Sequence, residues 1–427
     1  MWRKSGNFAP EIKDNKRLEK DFSPYSFIMT QSEKMPLRSW LPVVGLACSA
    51  FVFNTSEFVP IGLLSDIAAD FGLTPAAAGM LISVYAWVVM LLSLPLMILV
   101  SRMEMRRLML TLVALFGVFQ VMSFLSTSYA MLMASRIGVA CTHSVFWSIV
   151  SPMAARIVSD RWRPVALSIV ATGSSIAMVF GMPIGRMIGL LLGWRMTFLC
   201  IGAVAALTFL YMYFTMPVIP SRGKFSVRKL PVLFSNKALM GIFVLTTFFA
   251  TSYYTCYSYI EPFMKQVGGM GDSLVTATLM VFGASGIVGS IAFSRYYNAH
   301  RYTFMTMMLA VIAACLLLVL PASFSTGATL GVLALWGAVG TAFNIGMQNE
   351  IIAIAPQEGT SVAMSIFSGI FNFGIGTGAF VGGLVCTHLS LRYVGMAGGL
   401  LALGSVAWWL WSLKGHMKAF YGWRAAH

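Results

Sequence analysis

Across 427 residues the chain is 58% hydrophobic and only 10% charged, too little polar material to cover a water-soluble protein of this length. Its formal net charge of +15 is gathered in the two tails and in alternate loops, which reads as a topology signal and excludes a nucleic-acid footprint. The six cysteines (Cys48, Cys141, Cys200, Cys256, Cys315, Cys386) sit in or beside apolar stretches with no paired spacing. They read as small core hydrophobes, with neither a disulfide framework nor a metal set.

Residues 1–39 are polar and mixed in charge, without the apolar run and small-residue site of a cleaved leader. They are expected to form a cytoplasmic tail without regular structure. Met29 stands as an alternative start, which leaves 1–28 as either a disordered extension or a start-site artefact.

About 20 apolar residues suffice to cross the hydrocarbon core as a helix. Twelve such spans are predicted: 40–64, 76–100, 107–126, 130–154, 164–189, 194–215, 238–260, 274–296, 302–321, 327–352, 360–384 and 391–413. The expected fold is therefore an all-α integral membrane protein. Arg102, Arg106, Arg107, Arg156, Arg161, Arg163 and the basic residues of the 216–237 loop fall on one side. Asp66, Asp70 and Asp272 fall on the other, with Lys265 as the main exception. The positive-inside rule then puts both termini in the cytoplasm.

The long loop 216–237 divides the spans into a first bundle, 40–215, and a second, 238–413, followed by a cytoplasmic tail, 414–427. An internal repeat supports the division. At an offset of 197 residues, Ala166-Leu167-Ser168-Ile169 matches Ala363-Met364-Ser365-Ile366, Gly181 falls on Gly378, Gly185 on Gly382 and Arg195 on Arg392. Such repeats mark transporters built from two bundles around a central site.

The first span contains the costliest residue. Glu57 interrupts an apolar run in "FVFNTSEFVPIG", and a charge at the bilayer centre costs at least about 2.5–3.5 kcal/mol. At 1.5 Å per residue, Glu57 and Arg136 of span 4 lie at the same depth, roughly 7–9 Å from the midplane. They are expected to face each other, either as a structural pair or with Glu57 taking up and releasing a proton. His143, near mid-depth in "CTHSVFWS", is either a packing residue or a third member of the coupling set. Trp147 shares its helix face at i+4.

Other polar and aromatic residues lie at comparable depth: Asn54, Tyr85, Trp87, Tyr253, Tyr254, Tyr257, Asn344, Gln348 and Asn372. Each alone reads as helix–helix glue. Together they suit a polar cavity for an uncharged, hydroxyl-bearing solute. Spans 5 and 11 read "GSSIAMVFGMPIGRMIG" and "FNFGIGTGAFVGG", with glycines at i, i+4 and i+8 expected to pack the two bundles against each other in one of the two access states. Pro183 permits a bend. No phosphate-binding loop occurs, which argues against ATP-driven transport by this chain.

Arg136-Ile137-Gly138 resembles the conserved-Arg motif of the major facilitator superfamily. Gly181-Met182-Pro183-Ile184-Gly185 resembles its antiporter motif, with Met182 inserted between the usual Gly and Pro. "GRMIGLLLGWRMTF" is a typical continuation. The loop 2–3 signature is degenerate: Arg106 and Arg107 keep the basic pair, and Arg102 stands where Asp is usual. The segments "FNTSEFVPIGLLSDIA", "YAWVVMLLSLPLM", "SRIGVACTHSVFWSI", "YSYIEPF" and "FSGIFNFGIGTGA" are similar to bacterial sugar efflux transporters of the proton-linked drug and sugar efflux branch. The resemblance spans about residues 40–413. It implies the major facilitator fold of two six-helix bundles and export of arabinose, lactose-type sugars and thiogalactosides by proton antiport. It also implies an inner-membrane location.

The expected partners are a sugar, protons and the lipid bilayer, with no cofactor, no nucleic acid and a monomeric state. A multidrug or other small-solute antiporter of the same fold is the nearest alternative, ahead of a proton–sugar uptake symporter. A membrane enzyme would need convergent acid–base groups at an interface, but only His143 among five histidines is deep in a span and no Asp occupies a span interior. A passive channel would conduct without proton counter-flow.

Overall fold

The computed structural model describes residues 37–159, 162–220, 234–355 and 360–426. The expected N-terminal tail up to residue 36 and positions 221–233 of the central loop lie outside them. Among the described residues there is no strand, and twelve helices are long and apolar enough to span a membrane. They are α1 (Trp40–Gly62), α2 (Pro75–Val100), α3 (Met105–Phe124), α4 (Tyr129–Ile157), α5 (Val165–Leu192) and α6 (Trp194–Thr215) in the first half. The second half holds α7 (Lys237–Tyr257), α8 (Asp272–Tyr297), α9 (Ala299–Ala322), α10 (Thr326–Ile354), α11 (Ala363–His388) and α12 (Leu391–Gly422). The last helix overruns its predicted end at 413, because the more polar segment Lys414–Ala426 continues helical.

Local chemistry sets the helix starts. Thr74 caps α2 by accepting from Ala77 N, with Pro75 in the first turn, where a missing N–H is harmless. Glu104, Ser128 and Asn236 cap α3, α4 and α7 in the same way. Gly193, at φ 90°, makes the turn from α5 to α6 in a conformation other residues resist. Pro183 removes one backbone donor from α5, and the turn before it, Ala177–Gly181, widens to a π-type ladder. Helices α8 and α9 run on through a kink at His300 (φ −135°, ψ 40°).

Helices α1, α4, α7 and α10 occupy the interior, with 67, 61, 67 and 50% of their apolar windows buried against 33–44% for the others. The connections α1–α2 and α7–α8 lie at one end, termed acidic for Asp66, Asp70, Glu261 and Asp272. The connections α2–α3, α4–α5 and α8–α9 lie at the opposite, basic end. Across the two halves, α2 packs on α11 and α5 on α8.

In this structure the glycine stripes pack inside the halves rather than between them. A Cβ at Gly181, Gly185 or Gly189 would strike Thr55, Val59 or Leu63, all on or just beyond α1. A Cβ at Gly374, Gly378 or Gly382 would strike α7 or the residues just after it. Both stripes therefore serve close approach inside a half. Inter-half contact falls to other glycines: Gly283 of α8 meets the backbone of Met178 and Val179, and Gly376 of α11 meets Trp87 and the Ser83 carbonyl. The reason is geometric, since an i, i+4, i+8 stripe has one face and α1 or α7 already occupies it.

Candidate functional site

Two interior helices, α1 and α4, converge with α2 near the middle of the first half. Helix α1 supplies Asn54, Ser56 and Glu57, α2 supplies Tyr85, and α4 supplies Arg136, His143 and Trp147. Arg136 is 1% exposed. Its Nη1 donates to Ser56 Oγ (2.9 Å) and its Nη2 to the Ser56 carbonyl (2.8 Å). Ser56 Oγ also accepts from Gln120 Nε2 at 2.6 Å. The guanidinium lies over the Tyr85 ring at 4.7 Å, with Phe198 at 5.7 Å. Its charge is thus met by a hydroxyl, a carbonyl and aromatic faces.

Glu57 turns the other way. Among the described residues it forms no ion pair with Arg136; its close partner is His143, whose Nε2 lies 3.6 Å from Oε2. The expected Glu57–Arg136 pair is replaced because Ser56, one residue earlier on α1, takes the Arg136 side. His143 Nδ1 shares a 2.8 Å hydrogen bond with Tyr85 Oη, so Glu57, His143 and Tyr85 form a continuous polar chain. The His143 ring is 6.0 Å from that of Trp147. A cavity opens beside this chain, lined by Glu57, Tyr85 and Arg136, with apolar walls from α1 and α2 and with Ile375 from α11. Both halves therefore contribute to its wall.

The second half presents aromatic surface. Tyr253, Tyr254 and Tyr257 have ring centroids 5.3–5.7 Å apart. Trp336 lies 5.1 Å from Tyr253, and Phe282 stacks on Tyr257 at 5.1 Å. Asn372 donates to the Ser368 carbonyl (3.0 Å), while its Oδ1 is buried without a donor. Gln348 donates to Asn344 one turn away at 3.3 Å, and among the described residues no hydrogen bond joins that pair to the α1–α4 group. Asn54 is buried on α1. Trp87 reaches across the halves to Thr377 (3.4 Å) and to the Phe380 ring (5.6 Å). Gly181, Pro183 and Gly185 hold α5 against its own half rather than lining the cavity.

Ser56, Gln120 and Trp336 are absent from the sequence expectation. Gln120 had a legible signal: it is the lone amide in the apolar run "LFGVFQVMSF", and such a group in lipid needs a buried partner. Ser56 and Trp336 had none beyond their neighbours. Among the described residues no cluster of three metal-ligating side chains occurs.

Residues 46–361 match the family model for the Major Facilitator Superfamily. Among solved structures, the chain is similar to a bacterial homologue of the human lysosomal transporter Spinster in its inward-facing, unoccupied conformation. That match has a TM-score of 0.74 and 16% identity, covering 90% of this chain and 98% of that one. The same homologue in its occupied conformation gives a TM-score of 0.70 at 15% identity, covering 89% and 97%. The human organic anion transporter MFSD10 gives 0.66 at 15% identity, covering 88% and 100%. These likenesses concern the fold. With the family match spanning most of the chain, the protein belongs to the Major Facilitator Superfamily, whose members move solutes across membranes rather than catalyse reactions on them.

Proposed function

We propose that the chain exports small hydroxyl-rich solutes, sugars above all, from the cytoplasm in exchange for protons, by alternating access in a bacterial inner membrane. The observation that carries this reading is the Glu57–His143–Tyr85 chain, whose Glu57 and Tyr85 line a cavity to which both halves contribute. A carboxylate whose ion-pair partner among the described residues is a histidine can exchange a proton without breaking a permanent ion pair, whereas Arg136, tied to Ser56, supplies a fixed positive charge nearby. Trp147, Tyr254 and Tyr257 offer ring faces for a sugar's C–H surface. Asn54, Asn344, Gln348 and Asn372 offer amides for its hydroxyls. The free Asn372 Oδ1 is the clearest vacant acceptor among them. The segment likeness to sugar efflux transporters favours sugars over other neutral solutes, and the charge asymmetry of the loops favours cytoplasmic termini.

A second reading, export of lipophilic drugs, draws on the apolar cavity walls and on the packed rings of Tyr253, Tyr257, Phe282 and Trp336. Counterflow of labelled arabinose and a thiogalactoside in proteoliposomes, with and without an imposed pH gradient, separates the two. Sugar counterflow driven further by the gradient supports the first reading. Inhibition by lipophilic cations without sugar competition supports the second. Glu57→Gln is expected to abolish the effect of the gradient while sparing counterflow, and gradient-driven export that survives the substitution would remove Glu57 from the coupling step.

A further inference from the structure

At the acidic end, Arg186 of α5 is fully buried and serves two masters. Its Nη1 donates to the Gly62 carbonyl and to Glu261 Oε1 (3.1 Å), and its Nη2 to Asp272 Oδ1 (2.8 Å). Gly62 belongs to its own half, whereas Glu261 and Asp272 belong to the other. Two ion pairs therefore cross the interface. Ser65 N–H of the first half adds a third crossing by donating to Glu261 Oε2 at 3.0 Å.

Two further groups complete the cluster, and neither is needed to hold it shut. Asp66, in the same half as Arg186, keeps Oδ2 4.0 Å from Nη1, yet that oxygen is buried and accepts no hydrogen bond. The Asp66 carboxylate therefore stands within ion-pair distance of a guanidinium whose hydrogen bonds are already taken by other partners. Lys265, in the same half as the two carboxylates, lies 2.9 Å from Asp272 and 3.9 Å from Glu261.

Parting the halves would strand Arg186 and Glu261 as lone buried charges unless each had a second partner on its own side. Each has one. We propose that the acidic end is a latch that opens by ion-pair exchange: Arg186 passes from Glu261 and Asp272 to Asp66, while Lys265 retains both carboxylates. Closing reverses the exchange. Asp66 is then a release residue, which favours the open state, and Arg186 is the bolt, which favours the closed one. This inference rests on the alternating-access reading, and the test is built so that the two fail separately.

The full-length protein, with its six native cysteines replaced, carries spin labels at Thr127→Cys and Phe324→Cys. These exposed connections lie at the acidic end of opposite halves. In lipid nanodiscs the distance distribution reports closed and open populations. Asp66→Asn is expected to raise the closed-to-open ratio roughly 1.5- to fivefold, as befits a partly exposed ion-pair partner. Arg186→Gln is expected to lower the ratio by more than about tenfold. A purely structural cluster would move both variants in the same direction. An Asp66→Asn ratio equal to that of wild type, or lower, overturns the exchange even if Arg186→Gln fails to fold. A wild type with a single distance at every pH and with every solute overturns alternating access itself, and the latch with it.

Discussion

Replacing Gly79 by alanine tests how the acidic end closes. A Cβ at this position of α2 would sit 2.2 Å from Tyr259 Oη and 2.7 Å from its Cζ, about an ångström inside ordinary contact. Tyr259 cannot withdraw. It is 1% exposed, its hydroxyl donates to the Ala379 carbonyl at 2.9 Å, and Gly382 and Gly383 of α11 close in behind its ring. Such overpacking costs about 1–3 kcal/mol. Because Gly79 and Tyr259 belong to opposite halves, separation at this end relieves the clash, so the cost falls on the closed state alone. The closed-to-open ratio should drop by roughly 5- to 150-fold, read from spin labels at Thr127→Cys and Phe324→Cys. A double-mutant cycle isolates the contact. In a Tyr259→Leu background, which removes the hydroxyl and most of the ring, Gly79→Ala should be nearly neutral. If the glycine substitution leaves the wild-type ratio unmoved, or acts equally in both backgrounds, Tyr259 is not the wedge that the packing implies.

Arg136→Lys keeps the charge but loses the fork that reaches both Ser56 oxygens, and should lower stability by about 1.5–3 kcal/mol in a detergent melting assay. Tyr421→Phe removes the 2.7 Å hydrogen bond to Glu350 Oε2, a carboxylate that also accepts from Tyr297 and pairs with Arg301 at 3.2 Å. The C-terminal segment Lys414–Ala426 should then show faster hydrogen exchange, while α10 does not. At Glu104, burial alone would raise the carboxyl pKa, but N–H donors from Ile219, Arg106 and Arg107, with the Arg107 charge, outweigh it and hold the group below its ordinary value of 4.5. A depressed folded-state pKa means that this cap stabilises fully above about pH 4.5 and is lost as pH falls through the lowered value. Glu104→Gln should cost about 0.5–2 kcal/mol at neutral pH and remove that acid sensitivity from the melting curve.

Depth was legible in the sequence, and azimuth was not. Counting residues at 1.5 Å each puts Glu57 and Arg136 at one level. Successive residues of a helix are about 100° apart, so a single position decides which side chain meets which partner. Here Ser56 meets Arg136 and Glu57 meets His143. The glycine stripes carry the same ambiguity: spacing reveals a smooth face but not the helix that fills it, here α1 and α7. The acidic-end cluster is harder still. Arg186 and Glu261 stand out as ionisable groups in or near spans, but their meeting depends on one helix and two connections brought together only by the closed interface. By contrast, the twelve spans needed only apolar length, which the bilayer thickness imposes on each helix independently.

The same offset of 197 residues that relates the two halves separates what both need from what only one needs. It carries Pro75–Val100 onto Asp272–Tyr297 and Tyr129–Ile157 onto Thr326–Ile354, so the scaffold is repeated helix for helix. Gly181 and Gly185 fall on Gly378 and Gly382, and each pair admits the same neighbour, α1 in one half and α7 or its continuation in the other. The charges of the central site and of the acidic-end cluster are not repeated. Glu57 falls on Tyr254, Arg136 on Leu333, His143 on Gly340 and Arg186 on Gly383. Close helix packing is required wherever a half must hold together, whereas each buried charge is costly and survives where a single site uses it. On the proton-coupled reading, the first half supplies the titrating group and the second supplies ring faces for the solute. The other carboxylates within the described spans are Asp272, paired at the acidic end, and Glu350, held at the basic end by Tyr297, Arg301 and Tyr421. Glu57 is then the one carboxylate of the described spans without an Arg or Lys ion pair, its partner being His143.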